Sequence, residues 1–341
     1  MSTFYLGQFP PPYGGVTVKN ALLFEALSER LSIEKLEFRK TSTSTIIKRL
    51  LTSRDDTFVL GFGNAKLQRY LLCGLSLVRP SVLSRCVLIV MGGKFSETVG
   101  KDGRYLKACS RLRSLYVETE SMAEAVRESG LEHARVFPNC RKRPSTAIKV
   151  KMEPEALNSG RLSCVFFSLV SSDKGVDLVL DAADALPEVD FFVYGRIERG
   201  YEGFEGRVAR LGNVTYMGVF DSVRDDVVAE LNKYDVHLFP TRWPNEGVPG
   251  VLVETKMAAV PSIVSDVCYN TELVRDGSEG VVLRRNTAEE LARAILSLDA
   301  DREKLGAMKA AALESAERFY IDRYIDWLVS DLSEEPRKRT S

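Results

Sequence analysis

The chain has 341 residues, 47 Lys+Arg balanced by 47 Asp+Glu, with 45% hydrophobic and 28% charged residues, the composition of a soluble protein with room for two medium domains. Only two histidines and six cysteines without a CxxC pair exclude a histidine-rich metal site, a zinc ribbon and a disulfide framework. No apolar run reaches the roughly 20 residues of a membrane-spanning helix, and MSTFYLGQFPPPYGG at the start lacks the n- and h-regions of a secretory signal.

A cytoplasmic setting follows as the expectation, with the cysteines as buried thiols and His237, inside VHLFP, as a core histidine. The balanced charge conceals an asymmetry. Residues 1–150 hold 24 Lys+Arg against 13 Asp+Glu, and residues 151–341 hold 23 against 34. A basic first half fits an anionic membrane surface, a phosphorylated acceptor or an acidic second domain. Nucleic acid is not expected, because the cations are dispersed and no aromatic-rich RNA motif lies among them.

In chain order, Thr3–Gly7 reads as a short strand, QFPPPYGG as a loop, and Val16–Leu31 as an amphipathic helix with Val18, Leu22, Ala26 and Leu27 on its buried face. Strands are predicted at Ile33–Phe38, Phe58–Gly61, Val87–Met91, Leu115–Glu118 and Ala134–Pro138. Helices are predicted at Ser44–Leu51, Ala65–Leu77, Tyr105–Leu112 and Met122–Glu128. This alternation implies a parallel sheet covered on both faces. Cys140–Lys151, basic and interrupted by Pro144, reads as a linker. A second alternating series follows: strand Leu162–Leu169, helix Val176–Leu186, strand Val189–Tyr194, the loop GRIERGYEGFEGR, and strands Val214–Met217, Val236–Phe239, Ser262–Ser265 and Gly280–Leu283. Thr287–Leu332 reads as nearly all helix, and the tail EEPRKRTS as frayed. Asp299 and Asp301 are better read as helix-capping residues than as a metal pair, and GFGNAK has two glycines spaced as in a dinucleotide loop but lacks the third.

PTRWPNEGVPGVLVE, Pro240–Glu254, is the most informative stretch. It leads from the carboxyl end of a buried strand through a Pro/Gly turn into a helix starting near Pro249 or Gly250. Open α/β sheets bind ligands at that end. Free N–H groups at a helix start favour an anion. Glu246 and Glu254 frame the turn.

These residues resemble the retaining, nucleotide-sugar-dependent glycosyltransferases of the GT-B fold, family 4 (glycosyl transferases group 1). Glu246 and Glu254 have that family's E-x7-E spacing. MAAVPSIVSD and ELVRDGSEGVVL match the run that follows it, SSDKGVDLVLDA its phosphate-binding lysine segment, PPPYGGVTVKNALLFEAL its glycine loop and first helix, and VFPN its hinge. The match is strong from Leu162 to Leu283 and thin from Ile33 to Leu131. The resemblance implies an α/β fold of two doubly wound Rossmann-like domains facing each other across a cleft. An acceptor-side domain would span residues 1–145, a nucleotide-sugar domain residues 152–318, and a helix at about 320–333 would pack back on the first.

The resemblance also implies roles. Glu246 and Lys174 are the catalytic candidates, Glu246 beside the transferred sugar and Lys174 on the donor oxygens. Glu254 would accept the ribose hydroxyls. Backbone groups of Gly247, Val248, Gly250, Val251 and Leu252, and of Gly14 and Gly15 in the other domain, would meet the diphosphate. No metal and no cofactor beyond the donor are expected, since a preorganised electrostatic site can stabilise the leaving group.

Two departures stand out. Ser168 and Leu169 occupy positions where the family carries an arginine before the phosphate lysine, for which Arg196 or Arg242 would compensate. VMGGKF resembles the family's HGG segment with Met91 in place of histidine, which puts Met91, Gly92 and Lys94 on the acceptor side. The expected function is hexosyl transfer, with retention, to a saccharide or lipid-linked saccharide in cell-surface polysaccharide or glycolipid synthesis. The amphipathic IIKRLLTSR (Ile46–Arg54) suggests peripheral contact with the inner face of the membrane. A GT-B sugar-nucleotide 2-epimerase and a catalytically degenerate binding protein are the alternatives.

Overall fold

The computed structural model describes residues 2–144, 160–222, 224 and 226–333. The chain divides into two compact units, one of Met1–Arg143 with Phe319–Ser341 and one of Pro144–Arg318.

In the first unit, strands β1 (Thr3–Gly7), β2 (Ile33–Glu37), β3 (Thr57–Phe62), β4 (Cys86–Val90), β5 (Ser114–Val117) and β6 (Ala134–Val136) form one sheet. Its order is β2-β1-β3-β4-β5-β6 and every pairing is parallel. Strands β3 and β4 are buried along their whole length, as apolar runs in a two-sided sheet must be. The crossovers carry α1 (Gly15–Ser28), α2 (Thr43–Thr52), α3 (Ala65–Val78), α4 (Phe95–Gly100), α5 (Gly103–Cys109) and α6 (Glu120–Glu128). Side-chain caps set several starts: Ser42 accepts from Thr45 N, Asn64 from Leu67 N, and Asp102 from Arg104 N and Tyr105 N. The Asp102 cap begins α5 earlier than the periodicity of Tyr105–Leu112 suggests.

One expectation about this unit needs correction. Helix α1 buries Thr17, Lys19, Asn20, Leu23, Ala26 and Leu27, whereas Val18 and Leu22 are half-buried. The polar members are inward because each has a partner: Asn20 accepts from the buried Tyr5 hydroxyl at 2.8 Å, and Lys19 pairs with Glu118 at 2.6 Å. Helix α2 turns Ile46 and Leu50 into the core and leaves Ile47 exposed. Two of the four apolar side chains of IIKRLLTSR are therefore spent on packing, and Ile47 is the exposed one.

The second unit repeats the plan with β7 (Ser163–Phe167), β8 (Asp190–Tyr194), β9 (Val214–Gly218), β10 (Val236–Phe239), β11 (Ser262–Ser265) and β12 (Gly280–Leu283), ordered β12-β11-β10-β7-β8-β9 and parallel throughout. Its helices are α7 (Val176–Ala185), α8 (Phe204–Val208), α9 (Val227–Leu231), α10 (Gly250–Met257), α11 (Asn270–Leu273), α12 (Ala288–Ala300) and α13 (Arg302–Ser315). The helices α4, α8, α9 and α11 have four to six residues, too few for a 3.6-residue period to register. Asp301 caps α13, accepting from Lys304 N at 2.9 Å, and Asp299 pairs with Arg302.

After Arg318 the chain returns to the first unit, where α14 (Ile325–Ser333) puts Ile325, Leu328 and Leu332 into the core with Leu23 and Leu27 of α1. The basic run read as a linker is anchored here at its start. Arg141 N donates to Phe319 O at 2.8 Å, Lys142 pairs with Glu25 at 2.7 Å, and the Arg143 guanidinium lies 3.9 Å from the Tyr320 ring centre. The rest of that run, residues 145–151, and the tail EEPRKRTS lie outside the described residues. Cys86, Cys109, Cys140 and Cys164 are buried thiols and Cys73 is half-buried, but Cys268 is exposed. No described helix is long and apolar enough to cross a membrane.

Candidate active site

The candidate site grows from two loops of the second unit, both at carboxyl ends of adjacent parallel strands. After β7 comes Val170–Gly175, and after β10 comes Pro240–Pro249. Gly175 has φ +78°, and a Cβ there would lie 2.1 Å from Pro240 O. Glycine is thus required on both conformational and steric grounds, and its absence of a side chain lets the loops touch.

Several bonds hold the loops together. Arg242 N donates to Asp173 O at 2.7 Å, and the Arg242 guanidinium reaches Ser172 O at 2.8 Å. It also grips Asp177 with both terminal nitrogens, at 2.8 and 2.9 Å. The Asp177 carboxylate raises the Arg242 pKa from its ordinary value. Ser265 donates to Thr241 O at 2.6 Å, and Asn286 donates to Pro240 O at 3.0 Å and to Thr241 O at 3.2 Å. The turn is fixed by four neighbouring segments.

On this frame Lys174 and Glu246, 72 residues apart, form an ion pair from Nζ to Oε2, with their side chains 17% and 14% exposed. Removing one partner would leave the other partly desolvated and uncompensated. Pro249 is the N-cap of α10. Leu252 N already donates to Pro249 O at 3.2 Å. The N–H groups of Gly250 and Val251 open the helix, where no acceptor exists within it, so of the three α10 amides expected to meet an anion these two are free to do so among the described residues. Gly247 and Glu254 are half-buried and Val248 is buried.

Arg196, after β8, is exposed, and its carbonyl accepts from Val170 N at 3.0 Å. Its side chain has no ion-pair partner among the described residues. Of the two candidate compensating cations, Arg242 is committed to Asp177 and Arg196 is uncommitted.

The remaining candidates belong to the first unit. Gly14 is the N-cap of α1 and Gly15 its first residue, both exposed, and a Cβ at either would meet nothing within 4 Å. Met91 is buried at the end of β4, Gly92 has φ +125°, and Lys94 is an exposed N-cap of α4. Gly92 N lies 3.4 Å from Glu118 Oε2, and Glu118 pairs with Lys19. That pair ties the loop after β4 to α1. Its one local sign in the sequence is a carboxylate placed directly after the buried strand SLYV.

Two doubly wound parallel sheets of six strands with flanking helices define the GT-B fold, and solved structures of that class superimpose on the chain. Anabaena HepE, in complex with UDP, matches with a TM-score of 0.67 at 16% identity, covering 98% of this chain and 100% of that one. The sucrose-phosphate synthase of Thermosynechococcus elongatus matches with a TM-score of 0.69 at 12% identity, covering 97% and 98%.

Residues 148–315 match the model of the family of glycosyl transferases group 1. The chain is also 27% identical over 257 residues to an exopolysaccharide phosphotransferase of Streptomyces coelicolor, covering 73% of this chain and 26% of the relative. It therefore spans about a quarter of that protein's length.

Proposed function

We propose that the protein transfers a hexosyl unit from a nucleoside diphosphate sugar to a hydroxyl of a saccharide or lipid-linked saccharide, with retention of anomeric configuration, in the synthesis of a cell-surface polysaccharide or glycolipid. The observation that carries this reading is the Lys174–Glu246 pair beside the free amides that open α10. Breaking the anomeric C–O bond leaves charge on the diphosphate and positive charge on the sugar. Lys174, the amides of Gly250 and Val251, and Arg196 offset the former, and Glu246 the latter. Glu254, one turn along α10, would accept the ribose hydroxyls with its two oxygens, while Gly14 and Gly15 would leave their backbone open to the diphosphate. No metal ion is needed to complete this set of donors. HepE, solved with UDP-glucose, supports a uridine nucleotide as the first donor to try.

Glu246→Gln keeps the size of the side chain and removes its charge. Turnover with the active nucleotide sugar is expected to fall by about 10²–10³, as for removal of a single transition-state electrostatic contact, and Lys174→Ala to fall at least as far. Wild-type turnover in Glu246→Gln, with the melting temperature unchanged, would refute the assignment.

A second reading has one observation behind it, the likeness to a protein named a phosphotransferase. The two chemistries break different bonds. Glycosyl transfer breaks the anomeric C–O bond and releases the nucleoside diphosphate, whereas transfer of a sugar phosphate breaks the diphosphate and releases the monophosphate. Chromatography of the released nucleotide decides between them.

A further inference from the structure

Helix α3 presents an apolar ridge that nothing in the fold covers. Leu77 is 81% exposed, Val78 72%, Tyr70 66% and Leu67 40%. At 100° per residue these positions, with the exposed Gly74, lie opposite the buried Gln68, Leu72 and Leu75. The ridge runs the length of a helix of about 20 Å at 1.5 Å per residue. Isolated exposed leucines are ordinary, but a continuous row along one face marks an interaction surface.

The neighbours of α3 identify the partner. Arg79, just after α3, donates to Leu50 O and Leu51 O at the end of α2. Arg69 of α3 bonds Asp102 at 2.6 Å, and Arg111 bonds Ser76 Oγ at 2.7 Å, which sets α5 alongside. None of these three helices contains a carboxylate, and together they contain Lys48, Arg49, Lys66, Arg69, Arg104 and Lys107. Arg69 is neutralised by Asp102, and Arg49 stands 3.9 Å from Asp56. Lys48, Lys66, Arg104 and Lys107 are exposed and have no ion-pair partner among the described residues.

We infer that the α2–α3–α5 face docks on an anionic lipid surface, with Leu67, Tyr70, Leu77 and Val78 entering the acyl boundary and the four free cations lying among the headgroups. A convex row of leucine and valine with a tyrosine beside it suits a bilayer interface, and each basic side chain near an anionic leaflet adds attraction. A second copy of the chain fits poorly, because face-to-face packing would oppose the four unpaired cations with their like, Asp102 and Asp56 being already paired with Arg69 and Arg49. The inference is independent of the transferase reading, and it places the apolar contact on α3, where four large apolar side chains are exposed against Ile47 alone on α2.

Cosedimentation of the full chain with phosphatidylcholine vesicles, with and without phosphatidylglycerol, tests it. Binding is expected only with phosphatidylglycerol and should weaken as salt rises. The double variant Leu77→Ser, Val78→Ser should lose binding by about tenfold or more, and Arg104→Gln, Lys107→Gln should weaken it and flatten its salt dependence. Both variants alter exposed side chains, so far-ultraviolet circular dichroism should match the parent. Equal sedimentation of the parent with both vesicle types would overturn the inference, as would an apolar variant that binds like the parent. A concentration-dependent dimer in ultracentrifugation, abolished by the apolar variant, would overturn it in favour of a protein interface.

Discussion

His237 is wholly buried in β10, with Nδ1 3.1 Å from Ser262 Oγ and no hydrogen-bond partner for Nε2. Burial pushes its pKa down from 6.5 to about 3. Above the unfolded value both states carry a neutral ring, and its titration leaves stability unchanged. As pH falls through the unfolded value, the unfolded chain takes a proton that the native strand refuses. Stability is lost from there down to the folded pKa. The loss amounts to about 2 kcal/mol near pH 5. Replacing His237 by Leu should abolish that component while Ser262 Oγ keeps Thr255 Oγ1 at 3.2 Å. Urea unfolding of parent and variant between about pH 7 and pH 5 measures it, and identical pH slopes would contradict it. The role of His237 was readable from its position within VHLFP, because a lone histidine among apolar residues in a strand faces a core. Cys268 lay in a similar-looking run and is exposed. It follows Ser262–Ser265 in a loop with φ +53°, and loop geometry leaves no periodic trace.

At the scale of elements, α14 shows how a short helix is recruited across a long stretch of chain. Its apolar residues complete the core beside α1, and Asp331 adds direction. The Asp331 carboxylate accepts from the Tyr116 hydroxyl and from Arg135, and its carbonyl accepts from Arg113 at 2.5 Å. Burial and the neighbouring carboxylate raise the pKa of Tyr116. Asp331→Asn should cost about 1–3 kcal/mol, the range for leaving buried polar groups short of a charged partner. The Arg135 share is small because that side chain is 42% exposed. Combined with Tyr116→Phe, the two losses should fall short of additive by about 0.5 kcal/mol or more, and strict additivity in urea unfolding would show that the bond carries no coupling. Strand and helix order in both units was legible because alternating apolar runs report periodicity locally. The ties between elements were not. Lys19 with Glu118, Arg242 with Asp177, and Asp331 with Tyr116 are separated by 99, 65 and 215 residues, and no local pattern encodes such a pairing.

For the molecule as a whole, the question is how a chain with balanced charge would hold a diphosphate. The second half carries the acidic excess, yet its candidate site draws on Lys174, Arg196 and the first amides of α10, which follow the ends of three of its strands. Glu246 offsets part of that charge. Arg242, the other nearby cation, is held by Asp177, so recognition of a diphosphate would fall on groups that are individually weak and jointly preorganised. Fixed dipoles and one or two cations suffice when they need no reorganisation during bond breaking. On this account a divalent ion is dispensable. Turnover measured with the preferred nucleotide sugar in excess EDTA should equal that in magnesium within about twofold. The melting temperature should still rise with nucleoside diphosphate present, because a ligand that binds only the native state stabilises it. Arg196→Ala should shrink that rise in melting temperature more than Arg242→Lys does, since only Arg196 has its guanidinium free. A requirement for magnesium restored after chelation, or an Arg196→Ala protein that responds to the nucleotide like its parent, would contradict the electrostatic assignment.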